Sequence, residues 1–388
     1  MTEDVVVLGS GYAGTGTVLS LEDRLDGEAD LTWVSEVDHH LVLHEAHRVI
    51  RDPSIRDSIR YPVSEIKSPS TRFVQGHVED VDVRERTVHL ADGSTVDYDY
   101  LVIGFGSRTA FFGIEGLEEH SLTLKSLEDA VGIHDAVKEA AKAATREEPA
   151  QVVVGGAGLS GIQSAGEIAA FRDRHRAPID VHLVEGLDNV FPNNDPVVQA
   201  KLRKLLEARD VNIMTGEFIG EVDAETVYIG EETELGYDVL LWTGGITGQA
   251  PASACEVDQD ERSHRLNCEC TFRTSDERVF ALGDAALVEQ DENVAPPTAQ
   301  AAWQAAEVAG ENVARAIRGQ PLTEWTHEDK GTLISVGDEA VAHDVVGLRG
   351  VIETFGGPAA ETLKKGVAAR WINTVAGPVA AARAFPDM

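Results

Sequence analysis

The feature that most constrains this chain is a glycine pattern that occurs twice, each time between an apolar run and a helical pattern. The first copy, Gly9-Ser-Gly-Tyr-Ala-Gly14, follows the apolar run 4–8, and the next strand pattern, DLTWVSE, ends at Glu36. The second copy, Gly156-Ala-Gly-Leu-Ser-Gly161, is followed by IDVHLVE, which ends at Glu185. Strand, glycines, helix, strand and terminal acid form the signature of a Rossmann dinucleotide-binding unit. The sequence therefore predicts two such units.

The glycines have separate roles in this signature. Gly9 permits the tight turn, Gly11 lets the backbone approach a pyrophosphate, and Gly14 lets the helix pack on the strand. The same roles fall in the second copy on Gly156, Gly158 and Gly161. The helix that follows each loop offers free backbone N–H groups to an anion. Both loops are therefore predicted to bind the pyrophosphate of a nucleotide cofactor.

The two terminal acids indicate how the riboses are bound. The carboxylates of Glu36 and Glu185 are placed to accept hydrogen bonds from ribose hydroxyls. A 2′-phosphate beside Glu185 would be repelled by the negative charge, and an arginine would be needed instead. The second nucleotide is therefore expected to be NAD rather than NADP.

The composition limits the class of protein. The chain has 388 residues with 67 acidic and 33 basic side chains, a net charge of −34. Such a surface excludes nucleic acid as a partner, because phosphates require basic groups. It predicts a salt-adapted cytoplasmic protein whose self-repulsion is screened by ions. Residues 1–20 read as a strand and a glycine loop rather than a signal peptide, and no apolar run reaches the ~18 residues of a spanning helix.

The cysteines do not form a recognisable site. The three, Cys255, Cys268 and Cys270, include no Cys-x-x-Cys pair and are odd in number. Neither a disulfide framework nor a tetrahedral zinc site is predicted from them. No metal site is expected, although His40 and His44 have the spacing of two ligands on one helix face.

Further segments complete a resemblance to a family. An Asp92-Gly93 hairpin precedes the strand pattern LVIGFGS, and LLWTGG and VFALGDAA follow the second glycine pattern. In this order they resemble the two-dinucleotide-domain flavoprotein reductases over about residues 3–318. The resemblance implies that the first unit binds FAD and the second binds NADH. It also implies that Gly283 and Asp284 lie at the flavin, with the aspartate on its ribityl chain or pyrophosphate.

The predicted fold class is α/β, with two Rossmann-like dinucleotide-binding domains and a C-terminal region. The resemblance implies a discontinuous FAD domain, residues 1–115 and 271–320, with an NAD(H) domain inserted at 116–270. Residues 321–388 would be a membrane-docking or dimerisation region.

One branch of the family fits the motifs better than the others. The segment SEVDHHLVLHEAHRVIRD lacks the Cys-x₄-Cys pair of the disulfide reductases, so no thiol pair is available for that chemistry. The run Ala299-Gln-Ala-Ala-Trp-Gln304 resembles the Ala-Gln-x-Ala-x-Gln helix of the type II NADH dehydrogenases. This resemblance implies that Gln300 and Gln304 contribute to a quinone pocket. It also implies that Glu167, in SAGEIA, lies near the nicotinamide and flavin and assists proton delivery.

The expected function is therefore transfer of a hydride from NADH to FAD and of two electrons to a quinone, without proton pumping. Two alternatives stay open: a sulfide:quinone or other FAD-dependent NAD(P)H reductase, and a flavin- and NAD-binding sensor or interaction protein with little turnover. The quinone is not identified by the sequence, and a redox role of the cysteines is left open. The roles of His39, His40, His44 and His47 are also open, with His44 favoured as a contact of flavin or quinone.

The C-terminal segment AAETLKKGVAARWINTVAGPVAAARAF is locally basic and amphipathic. Its basic residues are Lys364, Lys365, Arg370 and Arg383, and its apolar ones are Leu363, Val367, Trp371, Ile372 and Val375. This pattern predicts either a helix in the interface of the inner face of the cell membrane or a helix packed on the FAD domain or on a second copy in a homodimer. The pair Gly377-Pro378 is expected to break the helix.

Overall fold

The structure of the protein is a computed structural model that describes residues 2–291, 293–347 and 350–388. The helices are α1 (Tyr12–Leu25), α2 (Arg48–Arg51), α3 (Arg56–Ile59), α4 (Val63–Ile66), α5 (Leu117–His120), α6 (Leu127–Ala143), α7 (Leu159–His175), α8 (Pro196–Glu207), α9 (Ala250–Ala254), α10 (Ala299–Ile317) and α11 (Pro358–Ala384). The strands before α7 are β1 (Glu3–Leu8), β2 (Ala29–Ser35), β3 (His39–Leu41), β4 (Arg60–Pro62), β5 (Arg72–Gln75), β6 (Val78–Asp82), β7 (Thr87–Leu90), β8 (Thr95–Asp97), β9 (Tyr100–Ile103), β10 (Ser107–Thr109) and β11 (Ala150–Gly155).

The strands after α7 are β12 (Ile179–Glu185), β13 (Val211–Thr215), β14 (Ile219–Val222), β15 (Thr226–Ile229), β16 (Thr233–Gly236), β17 (Val239–Trp242), β18 (Ile246–Gly248), β19 (Leu266–Cys268), β20 (Val279–Ala281), β21 (Ala286–Val288), β22 (Thr332–Val336), β23 (Glu339–Gly347) and β24 (Gly350–Gly356). Short 3₁₀ turns include Leu43–Glu45 and Gly283–Ala285.

The chain divides into two compact units. Unit 1 contains Met1–Leu41, Arg60–Arg108 and Ile246–Asp329, and unit 2 contains Val42–Ile59, Thr109–Gly245 and Lys330–Met388. These bounds differ from the expected domain limits, which fall at residues 115, 270 and 320. The C-terminal region joins unit 2, because its strands and helix pack on that unit's elements. The assignment of a cofactor to each unit stays a prediction at this point.

Unit 1 is built on a five-stranded parallel sheet in the order β20-β9-β1-β2-β5. The central strand β1 is apolar and buried from Val5 to Leu8, as expected for a strand with helices on both faces. Helices α1 and α10 pack on each other closely. A side chain at Gly310 would come within 2.4 Å of Ser20 Oγ, and that hydroxyl donates to the carbonyl oxygen of Glu307 at 2.7 Å.

Unit 2 contains a second parallel sheet in the order β13-β12-β11-β17. Helices α6, α7 and α8 cover the sheet, and apolar side chains of α7, among them Ile162 and Ile168, lie in its core. Helix α7 also packs on β22 so closely that a side chain at Gly166 would come within 2.7 Å of the Gly337 nitrogen. Both predicted strand–glycine–helix–strand units are therefore confirmed, each in its own sheet.

The C-terminal part forms the antiparallel sheet β22-β23-β24 and the long helix α11, which packs on it. The helix is interrupted at Gly377, whose φ of 80° is not helical, and this confirms the predicted break. Trp371, Ile372 and Val375 are buried in this single chain. Lys364, expected on a basic surface, is also buried, at 3 % exposure. These four residues are therefore not available to a membrane interface. Among the described residues, no helix is long and apolar enough to cross a bilayer.

Candidate functional site

The first glycine-rich loop, between β1 and α1, has the geometry that a pyrophosphate requires. Gly9 has a φ of +97°, which favours glycine. A side chain at Gly14 would come within 1.9 Å of the Gly9 oxygen, whereas one at Gly11 would meet nothing within 4 Å. Gly11 is the N-cap of α1 and no side chain caps that helix. The loop therefore leaves open space and backbone N–H groups at the start of α1.

Buried polar side chains hold this loop in place. The Trp33 indole N–H donates to the Gly9 oxygen at 2.8 Å. The Ser10 hydroxyl donates to the His39 oxygen at 2.8 Å. His40 Nδ1 donates to the Ser10 oxygen at 2.8 Å, and its ring contacts Tyr12 edge to face. The His40 side chain therefore positions the loop, a role that the sequence left open because it depends on contacts distant in the chain, whereas His39 contributes its backbone oxygen.

Glu36, the terminal acid of the first dinucleotide signature, and Asp284, which the resemblance places at the flavin, both lie in unit 1. Glu36 directly follows β2, and its side chain is 70 % exposed, with Oε2 at 3.3 Å from His77 Nδ1. Asp284 lies in the turn after β20, and its Oδ2 accepts a hydrogen bond from the Ser107 hydroxyl at 3.1 Å. A side chain at Gly283 would come within 2.9 Å of Ala13 Cβ, so this turn lies directly against the first turn of α1.

One residue that supports this turn was not identified from the sequence. Arg265 is buried, and its guanidinium donates from Nε to the Asp284 oxygen at 2.8 Å and from Nη2 to the Ala286 oxygen at 2.6 Å. Burial lowers the pKa of Arg265, with Asp284 acting in the opposite direction. A single arginine in a loop carries no sequence signal for this contact.

The glutamine helix α10 starts at Thr298, whose hydroxyl accepts a hydrogen bond from the Ala301 N–H. Its alanines face the core, whereas Gln300 and Gln304 are half-buried. The Gln304 amide donates to the Glu328 oxygen at 2.9 Å and accepts from the Glu328 N–H at 3.1 Å. A longer contact of 3.4 Å joins it to Gln300 Oε1. Gln304 therefore fixes the 328 segment in addition to any role toward a quinone.

The second glycine-rich loop, between β11 and α7, repeats the first. Gly156 has a φ of +90°, and a side chain at Gly161 would come within 1.8 Å of its oxygen. Gly158 faces open space and is the N-cap of α7, again without a side-chain cap. The Thr243 hydroxyl lies 2.9 and 3.0 Å from the oxygens of Gly155 and Gly156. This loop too presents uncapped N–H groups to an anion.

Glu185 ends β12, as predicted, but its carboxylate already has backbone partners. Oε2 accepts a hydrogen bond from the Ala157 N–H at 2.7 Å, and Oε1 accepts one from the Leu187 N–H at 3.0 Å. Each carboxylate oxygen can accept a second hydrogen bond. Glu185 therefore fixes the glycine-rich loop and can still accept a ribose hydroxyl.

Glu167 lies on α7 and is fully buried in unit 2. Its Oε2 lies 3.0 Å from Arg51 Nε, and Oε1 has no hydrogen-bond partner in the described part of the chain. Burial raises the pKa of Glu167 to about 7, while the nearby Arg51 and Arg48 act to lower it. The carboxyl group can therefore exchange a proton near neutral pH.

A buried ion pair connects α11 to the segment before α2. Lys364 Nζ lies 3.0 Å from Glu45 Oε1, and Arg48 Nε lies 2.5 Å from Glu45 Oε2. Burial alone would raise the pKa of Glu45, but Lys364 and Arg48 lower it below its ordinary value. His47 Nε2 lies 3.0 Å from the Ser335 hydroxyl in the same cluster. Burial lowers the pKa of His44 to about 4, so this histidine is neutral at physiological pH.

The cysteines are poorly suited to thiolate chemistry. Cys255 and Cys268 are buried and free, and Cys270 is partly buried. Burial raises the pKa of Cys255 to about 11, and it raises the pKa of Cys268 and Cys270 as well. Because the thiolate is the reactive form, the raised pKa values disfavour thiolate chemistry at all three. Within the described ranges, no group of three or more His, Cys, Asp and Glu side chains could hold a metal ion.

The residues present fit two nucleotide cofactors. Each helix begins at a glycine that faces open space, Gly11 for α1 and Gly158 for α7, and no side chain caps either helix. In each loop a second glycine, Gly14 or Gly161, packs so closely on the backbone that no side chain would fit. The acid after β2, Glu36, is exposed, and the acid that ends β12, Glu185, accepts a hydrogen bond from its own glycine-rich loop.

Comparison with known proteins gives relatives over most of the chain. A type II NADH:quinone oxidoreductase of Staphylococcus saprophyticus is 26% identical over 368 residues, covering 89% of each chain. The protein of the same name from Staphylococcus aureus is 27% identical over 384 residues, which is 92% of this chain and 90% of the relative.

Solved structures share the fold. NDH2 from Plasmodium falciparum, solved in complex with NADH, superposes with a TM-score of 0.84 at 16% identity and covers 100% of this chain and 98% of its own. The sulfide:quinone oxidoreductase of Aquifex aeolicus gives a TM-score of 0.80 at 18% identity, with 97% and 92% covered.

The family itself is shown by a match over residues 3–306, which includes both glycine-rich loops and the Gly283–Asp284 turn. This chain belongs to the pyridine nucleotide-disulphide oxidoreductase family.

Proposed function

We propose that this protein is an FAD-dependent NADH:quinone oxidoreductase of the type II kind. The observation that carries the proposal is the presence of two glycine-rich loops, each of which follows an inner strand of its own parallel sheet and precedes an uncapped helix. Two such loops in one chain serve two dinucleotides rather than one. The names of the staphylococcal relatives, aligned over about nine-tenths of the chain, support NADH as donor and quinone as acceptor.

FAD would be held by unit 1. The N–H groups at the start of α1 would bind its pyrophosphate, and Glu36 would accept from its ribose. Asp284, fixed by Ser107 and Arg265, would accept from the ribityl chain. NADH would be held by the start of α7, with Glu185 at its ribose. When bound, the flavin would accept a hydride and pass two electrons to an acceptor.

The chain's own residues would bind, orient and supply protons. Gln300 and Gln304 would donate to quinone oxygens without changing the charge of the site. Glu167 would hold a proton on its carboxyl group near neutral pH, as its raised pKa allows. The geometry of the rings would be set by the two loops, and this alignment is the main contribution a protein makes to such a reaction.

Steady-state assays with three donors test this function. The purified yellow protein is supplied with NADH, NADPH or sulfide and with a water-soluble quinone analogue. We expect NADH to be preferred to NADPH by ~1–3 kcal/mol in the free energy of activation, because Glu185 repels a 2′-phosphate and would lose its ribose contact. Equal rates with NADH and NADPH would show that Glu185 does not discriminate against a 2′-phosphate. Turnover with sulfide and none with NADH would move the protein to the sulfide-oxidising branch.

We also propose that the protein binds the membrane surface through the exposed side of α11. Val367 and Val379 are exposed on this helix, and Phe385 directly follows it. Arg370 and Arg383 lie in the same segment and would favour an anionic surface.

Sedimentation with anionic lipid vesicles tests this: Val379→Asp should abolish sedimentation, with Val197→Asp on α8 as control. Dimerisation through this face, without vesicle binding, would show instead as a change of mass in light scattering.

A further inference from the structure

Unit 2 contains a cleft of about 500 Å³ that belongs to neither glycine-rich loop. It lies where the C-terminal ends of α6 and α7 meet the turn after α2. Its volume falls within the range of small-molecule sites, roughly 300–1,000 Å³.

The charge of the cleft is opposite to that of the protein. Its charged lining residues are Arg51, Lys138, Lys142, Arg174 and Arg176, opposed by Asp52. In the whole sequence, acidic residues outnumber basic ones by 67 to 33. The excess of basic over acidic residues in the cleft lining is therefore not explained by composition.

Internal ion pairs account for only part of this positive charge. Arg174 Nη1 lies 3.0 Å from Asp52 Oδ2, and Lys142 lies 2.5 Å from Glu139. Arg51 pairs with Glu167 and Asp338. Within the described ranges, neither the Lys138 ammonium nor the Arg176 guanidinium forms an ion pair, although Glu139, which pairs with Lys142, also attracts Lys138 electrostatically.

Helix ends do not explain these two cations completely. Basic residues in the last turn of a helix interact favourably with its C-terminus, and α7 already has Arg172 and Arg174 there. Arg176 follows the helix with a φ of +52°, a backbone conformation in which glycine is preferred. An arginine at that position gives up backbone stability and places one more cation at the cleft.

The inner wall of the cleft is aromatic. Phe171 and His134 are buried and contact each other edge to face, with ring centroids 5.6 Å apart. His134 Nδ1 donates to the Ile50 oxygen at 2.9 Å, which fixes the ring. The exposed His175 ring lies 4.5 Å from Phe171. The cleft thus combines a fixed aromatic wall with a cationic rim.

We propose that this cleft binds a phosphate-bearing small anion, with Lys138 and Arg176 as its ligands. Guanidinium and ammonium groups are the usual protein donors to phosphate, and a dianion would neutralise both at once. The phosphate could belong to a soluble phosphorylated metabolite or to a phospholipid headgroup, and the chemistry of recognition is the same. This site is independent of the proposed oxidoreductase function.

The test measures binding to the flavin-loaded full-length protein at the lowest potassium chloride concentration that keeps it folded. Glycerol 3-phosphate is titrated by calorimetry, and vesicles containing phosphatidylglycerol are tested separately by sedimentation. The protein with Lys138→Gln and Arg176→Gln is compared with a charge-matched control carrying Lys204→Gln and Arg262→Gln.

We expect saturable binding of one of the two probes that weakens at higher salt. The cleft variant should bind about tenfold or more weakly, because it loses two charge-assisted contacts, while the control stays near wild type. Binding of glycerol 3-phosphate would identify a soluble ligand, and binding of vesicles alone would identify a headgroup. The proposal is overturned if neither probe binds, or if the cleft variant and the control bind equally well. Vesicle binding that the cleft variant retains and Val379→Asp loses would belong to α11 instead.

Discussion

Glu167 shows how burial of a single residue sets a protonation state. The residue is enclosed in unit 2 with Arg51 Nε at 3.0 Å, and burial outweighs that cation, so its pKa is raised to about 7 from an ordinary 4.5. Because the folded-state pKa is the higher one, the protonated form contributes stability that is complete below about 4.5. That stability is lost as the pH rises through about 7.

Relative to Glu167→Gln, the wild-type free energy of unfolding should fall by up to about 3 kcal/mol between pH 4.5 and 8. Guanidinium denaturation at a series of pH values measures the difference. The exposed Glu221→Gln serves as the control for general pH effects. A difference between wild type and Glu167→Gln that does not change with pH would show that Glu167 is charged throughout.

Gln300 and Gln304 are equivalent in the sequence pattern but differ in their contacts. Gln304 binds the backbone of Glu328 in both directions, because its amide donates to the Glu328 oxygen and accepts from the Glu328 N–H. Gln300→Leu should lower quinone turnover several-fold, by roughly 0.5–1.5 kcal/mol, and leave reduction by NADH unchanged. Gln304→Leu should have the same effect and should also destabilise the fold by about 1–3 kcal/mol.

Stopped-flow reduction by NADH, steady-state quinone kinetics and thermal unfolding on the same preparations separate these effects. Hydrogen exchange at the Glu328 amide, which donates to Gln304, should increase in the Gln304 variant alone. If both variants keep wild-type quinone kinetics, neither glutamine contacts the acceptor, and Gln304 serves to hold the 328 segment.

At the scale of elements, α11 is held to unit 2 by a buried ion pair as well as by apolar packing. Lys364 contacts Glu45, which also binds Arg48, whereas the neighbouring Lys365 makes a more exposed pair with Glu361 at 3.2 Å. Breaking a buried pair leaves an uncompensated charge, while an exposed helix pair contributes little.

Lys364→Met should therefore destabilise the protein by about 3–5 kcal/mol, and Lys365→Met by less than about 0.5 kcal/mol. Thermal and chemical unfolding of the two variants measure this contrast. Adding Glu45→Gln to Lys364→Met should restore part of the loss, because the unpaired carboxylate is removed. Equal losses of stability in the two single variants would show that the buried pair contributes no more to stability than the exposed one.

The elements that the sequence predicted are those specified by local pattern. The strands, turns and helix starts around Gly9 and Gly156 depend on neighbours in the chain, and they are found as predicted. The hairpin at Asp92-Gly93 lies between β7 and β8, also as predicted. The Lys364–Glu45 pair and the Gln304–Glu328 contact could not be predicted, because they join segments that meet only after folding.

The candidate site divides in the same way. The positions of the glycines and terminal acids could be predicted from the sequence, because backbone geometry requires them. The contacts that each side chain makes could not be predicted in this way. Glu185 was predicted at the ribose, and the structure shows its carboxylate on the Ala157 and Leu187 N–H groups. The positioning roles of His40 and Arg265 depend on the Ser10 and Asp284 oxygens, and no residue pattern indicates them.

At the scale of the whole molecule, the net charge of −34 should make stability depend on salt. Self-repulsion of this size is screened when the Debye length falls from about 10 Å at 0.1 M to about 3 Å at 1 M salt. The melting temperature should therefore rise steeply with potassium chloride, and more weakly with an equal osmolarity of sucrose. A melting temperature that is the same at low and high salt would contradict salt adaptation.

The proposed function requires that electrons pass from NADH to a quinone through bound flavin. The most direct measurement is anaerobic stopped-flow absorbance of the yellow protein, mixed first with NADH and then with a soluble quinone analogue. We expect the flavin absorbance to bleach in the first mixing and to return in the second, at rates that support turnover. A flavin that NADH does not bleach, or that stays bleached when the quinone is added, would contradict it.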